Sequence, residues 1–278
     1  MALTALQRKL CRLVAGNRTD AGESYLAGGA ALNELIASAR ISRDLDLFHD
    51  TDEAVAASWD ADRHLFQREG FQVRVVRERG SYVEAEVGAD GETMRVEWAR
   101  DSAYRFFPLV RHDELGLVLH AFDLATNKVL ALVGRLEVRD WIDVVHCAER
   151  LQPLGYLAWA ASGKDPGFSP EAILEHAARS SHYSAEEVAE LAFAGEPPDA
   201  ADLSRRWHVL LDAGRQVVDV LPAEEAGKCV LTHLGELFKG DAEDARRSLA
   251  KGEILFHAGR IKGAFPRVIE SRRPPPGE

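Results

Sequence analysis

The chain has 278 residues, about the length of two ordinary domains, and its 46% hydrophobic content excludes a disordered polypeptide. No apolar run approaches the roughly 18 residues that a membrane-spanning helix needs, so no membrane partner is expected. Lys and Arg number 34 against 45 Asp and Glu, and the net charge of −11 disfavours tight binding to duplex DNA. Three widely spaced cysteines indicate neither a disulfide framework nor a CxxC metal site, which predicts a soluble, cytoplasmic protein.

The first 160 residues mix helix and strand patterns. Apolar residues at helical spacing predict helices over Ala5–Val14, Ala30–Ala39, Asp52–Glu69, Asp123–Val133 and Val138–Arg150. Alternating or short apolar runs predict strands over Ser24–Ala27, Asp44–Phe48, Phe71–Arg77, Ser81–Val87, Thr93–Ala99 and Leu117–Leu119. We therefore predict an α/β (α+β) domain over residues 1–160.

A break rich in Gly, Ser and Pro at Ser162–Pro170 marks the predicted domain boundary. Beyond it, apolar residues recur at helical spacing from Leu203 to Leu221, and a further helix is predicted over Ala223–Phe238. Residues 161–278 are therefore predicted to form a helical domain. Three prolines near the end predict a flexible C-terminal tail at about 271–278.

The segment of residues 25–48 combines features that point to one chemistry. Gly28 and Gly29 stand between a predicted strand and a predicted helix, where glycine lets a polyanion approach free backbone N–H groups. Asp44 and Asp46 share one face of the next strand, roughly 7 Å apart along the chain. Two carboxylates aimed in one direction suit one or two Mg²⁺ or Mn²⁺ ions, which bind oxygen ligands and are often shared with substrate phosphates.

The order strand, Gly-Gly, helix and Asp-x-Asp strand resembles the nucleotidyltransferase superfamily. It is more similar still to the AbiEii/AbiGii abortive-infection toxin family, whose hallmark looks like AGGxAL followed by RxSxDLDLF. This chain carries that pattern in Ala27–Leu32 and then in Arg40, Ser42, Asp44, Asp46 and Phe48. The resemblance implies a small mixed sheet with flanking helices.

Residues 123–145 resemble a later motif of the same family, in which a lysine-bearing helix precedes an Arg-Asp pair and a further Asp. Lys128 matches the phosphate-binding lysine, Arg139 and Asp140 match the pair, and Asp143 matches the downstream Asp. Which of the two aspartates does the catalytic work stays open, and we favour Asp140. Asp140 would position the nucleophile or hold Lys128.

Members of the superfamily often use a third carboxylate from a nearby strand. Glu97 is in that place, where it would complete a metal site or act as a base on the attacking hydroxyl. Glu84 and Glu86, on the preceding strand, are the competitors, and an exposed strand position without function is the alternative.

The resemblance implies transfer of a nucleoside monophosphate from an NTP to an acceptor hydroxyl, with release of pyrophosphate. The nucleotide would be bound by Gly28, Gly29, Arg40, Ser42 and Lys128. The metal would be held by Asp44, Asp46 and Glu97, and the catalytic residues would be Asp44, Asp46, Lys128 and Asp140. The implied acceptor is a tRNA 3′ end, with a protein hydroxyl as another option, and the implied role is a growth-arresting toxin paired with an antitoxin protein.

Two other functions stay open at this point. One is the same chemistry on a small molecule such as an aminoglycoside or a lincosamide. The other is a non-catalytic relative that binds a nucleotide or a partner. The basic segment Gly259–Arg273 is a candidate contact for an RNA backbone, and a solvated basic tail is its alternative.

Overall fold

The computed structural model describes residues 3–180 and 183–267. The helices in these residues are α1 (Ala5–Ala21), α2 (Gly28–Leu35), α3 (Asp52–Arg68), α4 (Ala121–Arg135), α5 (Val138–Arg150), α6 (Leu154–Ala161), α7 (Pro170–Ala177), α8 (Ala185–Ala189), α9 (Ala200–Val218) and α10 (Ala242–Ala250). The strands are β1 (Ser24–Ala27), β2 (Arg40–Ile41), β3 (Asp44–His49), β4 (Gln72–Arg79), β5 (Tyr82–Ala89), β6 (Glu92–Arg100), β7 (Tyr104–Arg105), β8 (Val110–His112), β9 (Gly116–Val118), β10 (Ala192–Phe193), β11 (Lys228–Thr232), β12 (Ile254–Ala258) and β13 (Arg260–Ile261). The predicted tail at about 271–278 lies outside the described residues.

A seven-stranded mixed sheet organises the N-terminal part, in the order β4-β5-β6-β3-β1-β9-β8. β3 lies inside the sheet, parallel to β6 and antiparallel to β1. In this register Asp46 stands opposite Ala27 on one neighbour and Glu97 on the other. The predicted α/β class with a mixed sheet and flanking helices is confirmed.

The two faces of β3 differ because its sequence alternates. Leu45 and Leu47 are buried in the hydrophobic core, whereas Asp44 and Asp46 are half-buried on the opposite face. The period of two in a strand produces this division, and the two leucines anchor the strand. The carboxylates are therefore presented from a part of the sheet that has hydrogen-bonded neighbours on both sides.

Helices α4 and α5 carry the second motif. α4 contacts both α2 and α5, and its N-cap His120 accepts a hydrogen bond from the backbone N–H of Phe122. α4 ends at Arg135, its C-cap Leu136 has a left-handed backbone (φ 52°), and α5 begins two residues after this cap. This short connection brings the charged residues of both helices together.

The region after residue 161 contains strands as well as helices. The helix predicted over Ala223–Phe238 is wrong, since Lys228–Thr232 forms β11 and pairs antiparallel with β12. Cys229, Val230 and Leu231 are all buried, and such a continuous apolar run fits a strand covered on both faces as well as it fits a helix. The segment forms a strand because it pairs with a segment some 25 residues away, and this pairing cannot be predicted from the local sequence.

The two parts of the chain are joined by packing. β10 pairs with β2, β13 pairs with β7, and α6 packs on α4 and α9. The buried hydrophobic cluster includes residues from both sides of position 160, and the division into two domains there stays a prediction. No helix in the described residues is long and apolar enough to cross a membrane.

Candidate active site

A cleft of about 350 Å³ lies among β2, β3, β6 and helices α2, α4 and α5. All but one of the site residues predicted from the sequence line it, namely Gly28, Gly29, Arg40, Ser42, Asp44, Asp46, Glu97 and Lys128. The exception is Asp140, which is fully buried and does not line the cleft. The structure thus brings two distant sequence motifs to one cavity.

Gly28 and Gly29 allow close packing within the protein at the start of α2. Gly28 has φ +65°, and a Cβ added there would lie 1.6 Å from Asp46 Oδ2. A Cβ on Gly29 would lie 2.8 Å from Arg40 Nη2 and 3.0 Å from Ser42 Oγ. The space that the missing side chains leave is taken by site side chains, so these glycines set the position of Asp46 and Arg40 against the helix start.

Three carboxylates line one part of the cleft. Burial raises the pKa of Asp46, the nearby Asp44 raises it further, and Lys128 opposes both effects. Burial and the neighbouring Asp46 likewise raise the pKa of Glu97. Glu84 and Glu86, the two alternatives to Glu97 on the preceding strand, do not line the cleft. Glu84 instead accepts a hydrogen bond from Tyr82.

These carboxylates fit a hard divalent cation in chemistry. Mg²⁺ binds through one or two carboxylates and completes its shell with water and substrate phosphates. Asp44 and Asp46 supply two such groups, and their mutual repulsion is the kind that a bound cation relieves. Within residues 3–180 and 183–267, however, no three Asp, Glu, His or Cys side chains are grouped closely enough to hold a metal by themselves.

Two arginines flank Asp44, and the sequence motif had indicated one of them. Arg95 Nε lies 2.8 Å from Asp44 Oδ1, and Arg139 Nη1 lies 3.8 Å from Asp44 Oδ2. Sequence reasoning missed Arg95, although β6 places it directly opposite Asp44 in the parallel register. The sequence could have indicated Arg95, because it stands two residues before Glu97 and therefore on the same face of the strand.

Behind the cleft lies a network of buried charges. Lys128 Nζ is 2.9 Å from Asp140 Oδ1 and 3.0 Å from Asp143 Oδ2. Arg40 binds Asp143 through two hydrogen bonds of 2.6 Å each, and Arg135 Nε lies 2.6 Å from Asp140 Oδ2. We call Arg40, Lys128, Asp140 and Asp143 the buried charge network, and the exposed Arg135 contacts it from the surface. Both aspartates contact Lys128, so both hold it in place.

The buried charge network keeps its members ionised. Burial by itself lowers the pKa of Lys128, but Asp143 and Asp140 more than offset it, and the net shift is upward. Burial by itself raises the pKa of each aspartate, but the adjacent cations reverse this and lower both. Lys128 therefore presents an ammonium group to the cleft.

Arg135 and Asn127 also line the cleft, and sequence reasoning missed both. Arg135 lies seven residues after Lys128, two helical turns along the same face of α4. That spacing could have predicted Arg135 as a cleft residue. The sequence gives no such indication for Asn127, which directly precedes Lys128, because adjacent helical residues point about 100° apart.

The predicted basic segment is described as far as residue 267. Arg260 belongs to β13, which pairs with β7, and Lys262 Nζ lies 3.0 Å from Glu23 Oε1. Residues 268–273 of the segment lie outside the described residues. Contact of this segment with RNA stays a prediction.

A family model for the nucleotidyl transferase AbiEii toxin of type IV toxin–antitoxin systems matches residues 12–219. The chain belongs to this family. It is therefore a nucleotidyltransferase with an NTP as substrate, and the family implies an antitoxin partner. The match spans both of the motifs that form the cleft, so the resemblance found in residues 25–48 and 123–145 is confirmed.

Solved structures with the same fold agree. MenT4, the nucleotidyltransferase toxin Rv2826c of Mycobacterium tuberculosis H37Rv, superposes with a TM-score of 0.54 at 19% identity, covering 79% of this chain and 83% of that one. JHP933 from Helicobacter pylori superposes with a TM-score of 0.51 at 16% identity, covering 78% and 95%. At these identities the likeness shows a shared fold. None of the curated protein sequences compared with the chain matches it.

Proposed function

We propose that the cleft transfers a nucleoside monophosphate from an NTP to the 3′ end of a tRNA and thereby arrests growth, as the toxin of an abortive-infection system. The observation that carries this proposal is the convergence of Asp44, Asp46 and Lys128 on one cavity. A Mg²⁺ or Mn²⁺ ion held by Asp44 and Asp46, with Glu97 as the additional ligand or base, would neutralise charge that develops on the phosphates.

Lys128 is suited to bind a phosphate oxygen. An ammonium group has three N–H donors, and its two contacts in the described residues are Asp140 and Asp143. One donor remains for substrate, and Lys128 lines the cleft while 9% exposed. Asp140 and Asp143 are then positioning residues that act through Lys128.

The phosphates fit the part of the cleft near Gly29, Arg40 and Ser42. Arg40 supplies fixed positive charge there, because its guanidinium is locked by two hydrogen bonds to Asp143. The Ser42 hydroxyl adds a donor, and its backbone carbonyl is fixed by a 2.6 Å hydrogen bond from Gln7 Nε2. Such preorganised donors stabilise charge that builds up in phosphoryl transfer.

A second groove of about 510 Å³ adjoins the cleft and supports an RNA acceptor. The lining residues that it shares with the cleft are Arg40, Ser42, Asp44, Arg95 and Arg139, and it adds Arg43 and Tyr183. Arginine and an aromatic ring suit the backbone and the unstacked bases of a single-stranded RNA end. The groove reaches Asp44, so an acceptor bound in it would have access to the reacting phosphate.

The test is transfer of label to RNA. The purified protein is incubated with Mg²⁺, total tRNA and each α-labelled NTP in turn, and labelled RNA is resolved on a gel. We expect a labelled tRNA band that is lost with EDTA and in Asp46→Asn, which keeps the shape of the side chain. Asp60→Asn is the matched control, because Asp60 is exposed on α3 and outside the cleft.

Three results would contradict parts of the proposal. Label on an aminoglycoside or lincosamide, with none on RNA, would make the acceptor a small molecule. Label on a protein would replace tRNA by a protein hydroxyl. Full activity of Asp46→Asn would show that the reaction does not take place in this cleft. Growth arrest that persists in that variant would show that toxicity does not depend on catalysis.

A further inference from the structure

We propose that Asn127 is a specificity residue that donates a hydrogen bond from its amide to the nucleoside part of the bound NTP, and that Lys164 fixes the direction of this amide. The inference rests on the proposed use of the cleft as the nucleotide site. The observation behind it is a contact between Asn127, which lines the cleft, and a buried lysine outside it.

Lys164 determines which way the Asn127 amide faces. Lys164 Nζ lies 2.8 Å from Asn127 Oδ1, 2.8 Å from Asp123 Oδ1 and 3.1 Å from the Asp123 backbone carbonyl. An ammonium group donates and never accepts, so the amide atom that faces it is the oxygen. The side-chain NH₂ of Asn127 is thereby turned away from Lys164.

The NH₂ group is left for a ligand. Within the residues that the structure describes, it donates to no protein acceptor, and Asn127 is half-buried at the wall of the cleft. With its oxygen already bound, this side chain offers donors and no acceptor. An amide fixed in that way selects a ligand that presents an acceptor oxygen or ring nitrogen.

The order of residues along the cleft assigns Asn127 to the nucleoside. Every second residue from 40 to 48 lines the cleft, so Arg40 and Ser42 stand at one end, Asp44 and Asp46 in the middle and Phe48 at the other end. Arg40 and Ser42, together with Gly29, form the phosphate end proposed above. The Phe48 end therefore receives the nucleoside, whose base has an apolar face.

The cleft residues of helix α4 also change from apolar to charged along the helix. Its cleft residues begin with Leu124 and Asn127 and continue through Lys128 to Arg135, and both Lys128 and Arg135 influence the ionisation of Asp46. The apolar start of α4 thus belongs with Phe48, and its cationic end belongs with the carboxylates. Asn127 lies between the two, next to the nucleoside end.

The variant that separates binding from structure is Asn127→Asp. The new carboxylate keeps an oxygen for Lys164, so packing is preserved, but it presents an acceptor to the cleft where a donor stood. We expect the KM for NTP to rise at least about tenfold, with the melting temperature unchanged or higher. Asn127→Ala is expected to raise that KM about three- to tenfold. Gln67→Glu, an exposed amide on α3, is the control for the added charge.

Inhibition by inorganic triphosphate, which has no base or sugar, shows which part of the NTP Asn127 contacts. Its inhibition constant is expected to stay within about twofold of wild type in Asn127→Ala, which adds no charge to the cleft and leaves the hydrogen bonds near the phosphates unchanged. A KM for NTP in Asn127→Asp that matches wild type would overturn the proposal, as would inhibition by triphosphate that weakens in Asn127→Ala in parallel with NTP. If Asp46→Asn is inactive while the Asn127 variants behave as wild type, this inference fails and the proposed function stands.

Discussion

Replacing Gly28 by alanine tests how tightly the helix start and Asp46 are packed. The residue has φ +65°, where a side chain costs about 1–3 kcal/mol. The new Cβ would also lie 1.6 Å from Asp46 Oδ2 and 2.8 Å from Asp46 Cβ. Rotation of the carboxylate does not relieve the second contact, so β3 has to shift against β1 at a cost of about 1–3 kcal/mol. We expect the free energy of unfolding to fall by about 2–6 kcal/mol in total.

Two measurements follow the Gly28→Ala variant. Thermal unfolding is expected to show a melting temperature lower by roughly 3–10 °C. Transfer of label from NTP is expected to fall at least about 100-fold, since a displacement near 1 Å of a reacting group has that effect. Activity is expected to fall together with stability because the displaced strand carries Asp46.

Gly134→Ala is the matched control. Gly134 is exposed on α4, and an added Cβ would have no atom within 4 Å. Alanine is a better helix former by about 1 kcal/mol, so stability is expected to rise slightly while activity is retained. Wild-type stability and activity in Gly28→Ala would refute the packing argument.

Three further variants test other parts of the structure. Burial lowers the pKa of His49 to about 4, so the folded protein does not bind a proton that the unfolded chain binds below pH 6.5. The free energy of unfolding is therefore expected to fall by about 2 kcal/mol from pH 7.5 to 5.0, measured by urea titration, and to fall less in His49→Gln. Arg95→Gln frees Asp44 from a guanidinium and is expected to lower the Mg²⁺ concentration for half-maximal activity about two- to fivefold, measured by Mg²⁺ titration. Lys164→Met leaves buried Asp123 without its cation and is expected to cost about 3–5 kcal/mol of unfolding free energy in denaturant.

Local patterns predict the elements that carry the first motif. The strand Ser24–Ala27 is found with the predicted bounds, and the predicted strand Asp44–Phe48 extends by one residue. Here turn glycines and strict alternation act over a few neighbouring positions, so the sequence reports them directly. The helix after Gly28-Gly29 begins two residues earlier than predicted, because glycine itself starts it at a positive φ.

Long-range pairing explains what the sequence did not predict. The segment Lys228–Thr232 is a strand because β12 pairs with it, and the buried run in it has no helical or strand periodicity of its own. Arg95 and Asn127 belong to the cleft because of register and helix packing, which single-residue patterns do not contain. Asp140 matched a motif, yet its depth behind Lys128 follows from the packing of α4 on α5.

The buried charge network has a consequence for the response to salt. Its two cations, Arg40 and Lys128, are balanced by its two anions and line the cleft, in a protein whose net charge is −11. Mobile ions screen charges through solvent and act weakly on buried ones. Rising ionic strength is therefore expected to leave the KM for NTP nearly constant. The solvent-facing arginines of the adjoining groove have no such protection, so affinity for an RNA acceptor weakens in the same salt series.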